Sequence, residues 1–361
     1  MPVFVSDKPF NDLPLLPPKA NLESPVILKA CIEANKELAQ LKMAERLIPN
    51  QTVLINSIPL LESQASSAIE NIVTTTDDLF KYADSKSINL SPALKETFRY
   101  RTALREGISR IAERPITVST VCKVCSTIRE IETDIRKIPG TTLVNDLTSE
   151  QIYTPPSGED TLRNLLTNWQ QFLYEEDGHD PLIKLAIQHY QFEAIHPFAD
   201  GNGRTGRIIN LLYLVDCGLL DSPVLYLSRF IIKRKSVYYE KLLDVTKNQN
   251  WESWILYFLE GIRETSQWTK RKILAIQELI DDTALLIQKE APRIYRKELV
   301  ELLFTQPYVR ISNITQHRIA ERQTASKYLH SLCSLGVIDE LRVGREKVFI
   351  NNRFLKLLRA N

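Results

Sequence analysis

No stretch of this sequence approaches the ~18 consecutive apolar residues that a membrane-crossing helix needs. The opening MPVFVSDKPFNDLPLLPP has neither a cationic start nor a continuous apolar core, so no secretory leader is read there. A cytoplasmic protein with no membrane partner is expected. An excess of one charge is also lacking: the formal net charge is +2, too near balance to imply nucleic acid or membrane by itself. Disulfide pairing is a further absence. The cysteines (Cys31, Cys122, Cys125, Cys217, Cys333) are odd in number and scattered, which suits a reducing compartment. Only Cys122 and Cys125 form a C-x-x-C, with neither a second cysteine pair nor a thioredoxin-like setting, so buried structural thiols are expected. At 361 residues and 43% hydrophobic content, the chain can build one large core or two to three smaller ones.

The chemistry is concentrated between Tyr190 and Leu214, YQFEAIHPFADGNGRTGRIINLLYL. A histidine, an acid, a Gly-Asn-Gly turn and two arginines fall in one short segment between apolar, helix-like flanks. Successive N–H groups of Gly201, Asn202 and Gly203 opening onto a helix N-terminus form an anion nest, because unpaired amide donors and the helix dipole face the ligand together. Arg204 and Arg207 are neighbours on the first turns of that helix, a fork suited to adjacent phosphoryl groups. Asp200 is placed to hold a hard cation such as Mg²⁺ by one carboxylate. Pro197 lacks an N–H and biases His196 away from helical geometry, so a helix ends near Ile195 and presents His196 at a loop mouth. A neutral imidazole there can accept a proton from a hydroxyl.

His196 to Arg207 matches, without a departure, the HPFxDGNGRxxR signature of the Fic (Fido) domain proteins, most of which transfer AMP from ATP to a hydroxyl of a target protein. The resemblance implies that His196 is the general base and Asp200 the Mg²⁺ ligand. It implies that Gly201 to Gly203, with Asn202, cradle the α- and β-phosphates, and that Arg204 and Arg207 contact the β- and γ-phosphates, within an ATP-binding run that includes Thr205 and Gly206. Gly203 is intact, where the phosphorylating relatives replace it, which favours AMP transfer.

Upstream, residues 1 to 25 read as an extended lead-in draped over the body, and Pro25 to about Leu47 as an amphipathic helix ended by Pro49. Ser66 and Glu70 are four apart on one helical face, which by itself suits a surface pair or a capping arrangement. Ser66 to Asn71 resembles the (S/T)xxxE(G/N) inhibitory helix of Fic proteins, which implies that Glu70 pairs with Arg207 and displaces the γ-phosphate. Residues 92 to 137 read as two helices broken at Pro115. The period then changes, and 138 to 156 reads as a hairpin. By itself a polar hairpin is a connection; the resemblance makes it a flap, with Gly140, Thr141, Thr142, Leu143 and Val144 pairing with the target segment as an added strand. The helix that follows can be capped by Asp160 or Thr161. DPLIKLAIQHYQFEAI and RTGRIINLLYLVDCGLL, apolar nearly all round, are central helices. Tyr238 and Tyr239 suit a core by spacing alone, and the family's corresponding tyrosines line the adenine slot.

From about Gln288 the composition becomes basic. Helix, short helix, a polar helix from Arg322 to Leu335 and a Gly-turned hairpin read as a winged helix. Arg322, Gln323, Thr324, Ser326 and Lys327 would face outward, with Arg342 and Arg345 on the wing; DNA contact and protein docking or homodimerisation both suit this pattern. The expected whole is mainly α: a Fic-type helical bundle with a small β-hairpin flap plus a C-terminal winged helix-turn-helix domain. Its parts are 1–90 (lead-in and inhibitory helix), 91–287 (catalytic core) and 288–361 (winged helix). The function implied by the resemblance is a protein adenylyltransferase using ATP and Mg²⁺ on a Tyr, Thr or Ser hydroxyl of a target protein, or of itself, autoinhibited by Glu70. Two alternatives stay open: hydrolytic removal of AMP at the same site, with Glu70 orienting a water, and a DNA-binding regulator whose core senses nucleotide.

Overall fold

The computed structural model describes residues 4–48, 50–83, 90–138, 142–144, 151–343 and 346–360, and it is built mainly of helices. The lead-in lies across the body as expected: Phe10, Leu13 and Leu16 are buried, and the Leu16 N–H donates to Asn168 Oδ1 at 2.8 Å. Helix α1 (Pro25–Glu45) starts where the Ser24 hydroxyl accepts the Ile27 N–H, with Pro25 in the first turn, where no N–H is needed. Helix α2 (Thr52–Ile69) is buried along most of its length despite an internal Pro59. Helix α3 (Thr76–Tyr82) begins at a Thr75 cap.

Helices α4 (Pro92–Ile111) and α5 (Val118–Arg129) pack on each other. The second was expected to run on to residue 137 and does not. Glu130 turns left-handed at φ 57°, and Ser126 takes the next donors: its carbonyl accepts the Ile131 N–H and its hydroxyl the Thr133 N–H. The chain then runs irregularly back towards the centre of the molecule. Strands β1 (Leu143–Val144) and β2 (Gln151–Tyr153) form the expected antiparallel hairpin, with Leu143 opposite Tyr153. Gly140 and Thr141 lie outside the described residues.

Helix α6 (Glu159–Tyr174) is not capped by Asp160 or Thr161. Gly158, at φ 97°, occupies the cap position, and Glu159 and Asp160 sit inside the first turn, where negative charge favours a helix N-terminus. Helices α7 (Pro181–Ile195) and α8 (Asn202–Asp216) are buried on nearly every side, which is what their apolar sequences require. Helices α9 (Leu227–Lys233) and α10 (Lys235–Asn248) lead into α11 (Trp251–Glu290), a 40-residue helix that also packs along α1. Trp169 and Trp254 are fully buried, and their indole N–H groups donate to carbonyls of α7 at 3.1 and 2.7 Å. Central α7 is thereby held from two sides.

Beyond α11 come α12 (Lys297–Thr305), β3 (Tyr308–Val309), α13 (Ile311–Gln316), α14 (Arg322–Ser334), β4 (Asp339–Val343), β5 (Glu346–Ile350) and α15 (Asn352–Arg359). The three strands form an antiparallel sheet in the order β3-β5-β4. A helix–turn–helix followed by a hairpin is the expected element order; Arg342 lies on β4, and Arg345 lies outside the described residues. This part docks onto the α2–α3 region. Arg359 pairs with Asp77 at 2.7 Å, the Tyr308 hydroxyl donates to the same carboxylate, and α12 packs on α2.

Candidate active site

Helix α7 ends where the sequence says it must. His196 is its C-cap in the left-handed region (φ 50°, ψ 58°), and Pro197 prevents continuation. The loop from Pro197 to Gly201 is closed by Asn202, whose side chain both accepts the Phe198 N–H and donates to the Phe198 carbonyl, each at 2.8 Å. The Asn202 side chain is buried and shapes the turn whose backbone N–H groups were expected to cradle the phosphates. Gly201, at φ 87°, precedes the first residue of α8, and the first backbone bond of that helix runs from Thr205 to Gly201. The N–H groups at the start of α8 have no partner in their own helix, which is the donor set of an anion site.

Glu70 and Ser66 meet Arg207. The Arg207 Nη2 donates to Glu70 Oε1 at 2.7 Å and to the Ser66 carbonyl at 3.0 Å, and its Nε donates to the Ser66 hydroxyl at 2.8 Å. Glu70 is not on the helix face proper: it is the C-cap of α2, followed by Asn71 at φ 63°. Asparagine tolerates the left-handed region better than most side chains, and that turn carries the carboxylate off the helix end towards α8. Lys235 Nζ donates to Asn71 Oδ1 at 3.4 Å. Burial alone would raise the Glu70 carboxyl; the Arg207 guanidinium, with Arg204 and Lys235 adding, holds it below the usual range instead. Burial would likewise lower Arg207, and the carboxylates of Glu70 and Glu193 raise it.

Two glycines leave room for these charges. A Cβ on Gly203 would sit 2.5 Å from Glu70 Oε1 and 2.9 Å from Arg207 Nη1, and one on Gly206 would sit 2.5 Å from Glu193 Oε1. Glu193 was not anticipated from sequence. Its Oε1 is buried without a hydrogen-bond partner, and burial pushes its carboxyl up to about 7. A single acid in an apolar helical run carries no signal of this kind.

His196, Glu70, Gly203, Arg207, Tyr238 and Tyr239 line one cavity of about 740 Å³, which Leu143 and Tyr153 of the hairpin also border. Tyr238 is buried, its hydroxyl 2.9 Å from His189 Nε2, whereas Tyr239 is 40% exposed. Thr205 is buried in α8. Arg204 and Asp200 are not among the residues lining this cavity. Glu96 of α4 pairs with Arg204, and Asp200 lies 3.7 Å from Arg204 and 3.5 Å from Arg129. Among the described residues no three His, Cys, Asp or Glu side chains cluster as a metal site. The exposed Asp200 carboxylate fits a Mg²⁺ that keeps most of its shell from water and phosphate. Burial pushes the His196 imidazole down to about 4, Arg136 adds to this, and the Glu193 backbone carbonyl and the carboxylates of Glu70 and Asp200 oppose it. At neutral pH the ring is uncharged and can accept a proton.

Replacing Asn202 by Ala strands the Phe198 N–H and carbonyl. We expect a loss of roughly 2–3 kcal/mol, read from the denaturant midpoint at unchanged m-value. A loss within error of zero would mean that the turn keeps its shape without this side chain.

Family models match three stretches of the chain: Fic/DOC family N-terminal over residues 28–109, Fic/DOC family over 115–214, and the C-terminal domain of protein adenylyltransferase SoFic-like over 279–354. A probable protein adenylyltransferase of Aquifex aeolicus is 45% identical over 67 residues, which are 19% of this chain and 20% of that protein. Protein adenylyltransferase Fic of Drosophila melanogaster is 30% identical over 116 residues, 30% of this chain and 24% of that protein. The chain spans about a quarter or less of the length of these relatives. Among solved structures, a Fic family protein from Desulfovibrio desulfuricans G20 superposes with a TM-score of 0.57 at 18% identity, covering 91% of this chain and 96% of that one. Fic-1 from C. elegans superposes with a TM-score of 0.51 at 18% identity, over 70% and 74%. At such identities the likeness is one of fold. Taken with the family models over the segments that contain both α2 and the turn between α7 and α8, it leads to one conclusion: the chain belongs to the Fic/DOC family.

Proposed function

We propose that the protein is an adenylyltransferase that moves AMP from ATP to a Tyr, Thr or Ser hydroxyl of a target protein, and that Glu70 holds it inactive in cis. The observation that carries this reading is the neutral His196 facing the same cavity as an Arg207 already occupied by Ser66 and Glu70. In the reaction, His196 accepts the proton of the target hydroxyl. The freed oxygen forms a bond to the α-phosphorus of ATP while the bond from that phosphorus to the β-bridging oxygen breaks, and pyrophosphate leaves. Arg207, once free of Glu70, and the N–H groups opening α8 stabilise the charge that collects on the leaving group. Mg²⁺, held by Asp200, would supply further neutralisation of the phosphates. Thr142, Leu143 and Val144 offer the β1 edge to a target segment as an added strand. Tyr239, exposed on the cavity wall, suits stacking on the adenine. A cytoplasmic setting is supported by five cysteines that all remain unpaired.

A Glu70→Gly protein incubated with α-labelled ATP and cell extract is expected to transfer label at least about tenfold faster than the parent, since a buried charged contact competing with phosphate is removed. Equal labelling would end the autoinhibition reading, and release of AMP from a modified target by the parent would favour the hydrolase. In the Glu70→Gly background, His196→Ala is expected to cut transfer by roughly 10²–10⁴-fold with ATP affinity nearly unchanged in calorimetry. Because the folded imidazole lies near 4, not 6.5, acidification from pH 8 to pH 5.5 is expected to cost no activity through this group. A fall centred on pH 6.5 that vanishes with the base would contradict this.

A second reading concerns the tail as a winged helix. Arg322, Gln323, Thr324 and Lys327 are exposed on α14, with Ser326 partly so, and neither Arg322 nor Lys327 has an ion-pair partner among the described residues. Free cations on the first turns of such a helix support contact with DNA phosphates. Replacing both by Ala is expected to weaken binding of a duplex, followed by fluorescence anisotropy at 100 mM salt, by about tenfold or more and to flatten its salt dependence. No binding by the parent would leave the tail to protein docking.

A further inference from the structure

We propose that Arg136 is a positioning residue that joins the base-bearing turn and the foot of the β1–β2 hairpin into one unit. It lies in the irregular segment after α5, where sequence periodicity pointed to a helix. Its side chain is buried, at 8% exposure. Its backbone N–H donates to the Pro197 carbonyl at 2.9 Å, Nε donates to the His196 carbonyl at 2.8 Å, and Nη2 donates to the carbonyls of Pro156 and, at 3.5 Å, Ile195. One planar fork therefore gathers the carbonyls that close α7 and one from the chain just past β2.

Those α7 carbonyls have no donor within their own helix, and they mark the negative end of its dipole. A guanidinium suits them better than an ammonium, because its donors are fixed in one plane. Among the described residues no carboxylate lies within ion-pair distance of Arg136, which is unusual for a buried cation. Carbonyl oxygens accept its side-chain hydrogen bonds among the described residues. The charge serves two ends. It stands behind His196, where it opposes a second proton on the ring, against the carboxylates of Glu70 and Asp200 that favour one. It also ties Pro156 to the turn, beside a second tie in which the Tyr153 hydroxyl donates to the Ala194 carbonyl at 2.8 Å. The base and the hairpin whose β1 edge would receive the target segment share one anchor through β2, so the distance between hydroxyl and imidazole is set before any target binds.

The kinetic arm of the test rests on the adenylyltransferase reading; the titration arm does not. In the full-length Glu70→Gly protein, Arg136→Met keeps the bulk and removes both charge and fork, while Arg136→Lys keeps the charge and removes the fork. By NMR, the His196 imidazole pKa is expected to rise by about one unit or more in Arg136→Met and to stay low in Arg136→Lys. Both variants are expected to lose roughly ten- to hundredfold in kcat with KM for ATP changed less than about threefold, because the hydroxyl and the base lose their register. An unchanged imidazole titration and unchanged kcat in a folded Arg136→Met protein would overturn the proposal. Should Arg136→Met fail to fold, Arg136→Lys decides by its kcat alone, with unchanged turnover overturning it. If the Glu70→Gly parent transfers no AMP, the proposed function fails, and the titration still judges Arg136.

Discussion

A guanidinium offers its paired donors to one anion at a time, and in this structure Arg207 has already given them away. The side chain is buried, so leaving it unpaired would cost several kcal/mol, roughly 3–5 for a buried pair broken from one side. Ser66 and Glu70 keep that cost from arising in the absence of a nucleotide. On the proposed reading a phosphate enters by replacing Glu70, close to an exchange of like for like. The state of the site is therefore set by where the end of α2 lies. Gly203 and Gly206 belong to the same constraint, since a Cβ on either would occupy the space of a carboxylate oxygen.

What holds α2 is spread across the molecule. Glu62, wholly buried, accepts the Ser228 N–H at 2.9 Å and hydroxyl groups from Ser228 and Tyr100, and burial pushes its carboxyl up to about 7. Just beyond the Glu70 turn, Asp77 of α3 is gripped by Arg359 and Tyr308 of the C-terminal part. The tail is thus bonded to the helix that follows the Glu70 turn.

The central turn was legible because its rules are local. A proline after His196 stops a helix, glycine at position 201 permits a left-handed residue, and a polar run between two apolar ones must surface. The hairpin and the two central helices followed from the same kind of reasoning. The end of α5 was missed because Ser126 competes for donors that a periodic pattern assigns to the helix. The role of the Asn202 side chain in closing its own loop was not read, because only the backbone path brings the amide back onto Phe198. The partner that Arg204 meets, Glu96 of α4, is remote in sequence and was not anticipated. Glu193, Arg129, Lys235 and Arg136 went unnoticed for a common reason: each acts through a partner on another element.

Sequence by itself determined the order of the elements, the helical class, the turn that presents His196 and the residue types available to meet a polyphosphate. These depend on steric and hydrogen-bonding preferences that act over four residues or fewer. The Glu70–Arg207 pairing, 137 residues apart, was available beforehand only through the family resemblance; the tertiary structure shows it, and it alone decided that Glu96 meets Arg204 and that a buried arginine stands behind the base. Electrostatic pairing in a desolvated interior falls off with distance in space and is indifferent to distance along the chain, so it could be read only once the helices were in place.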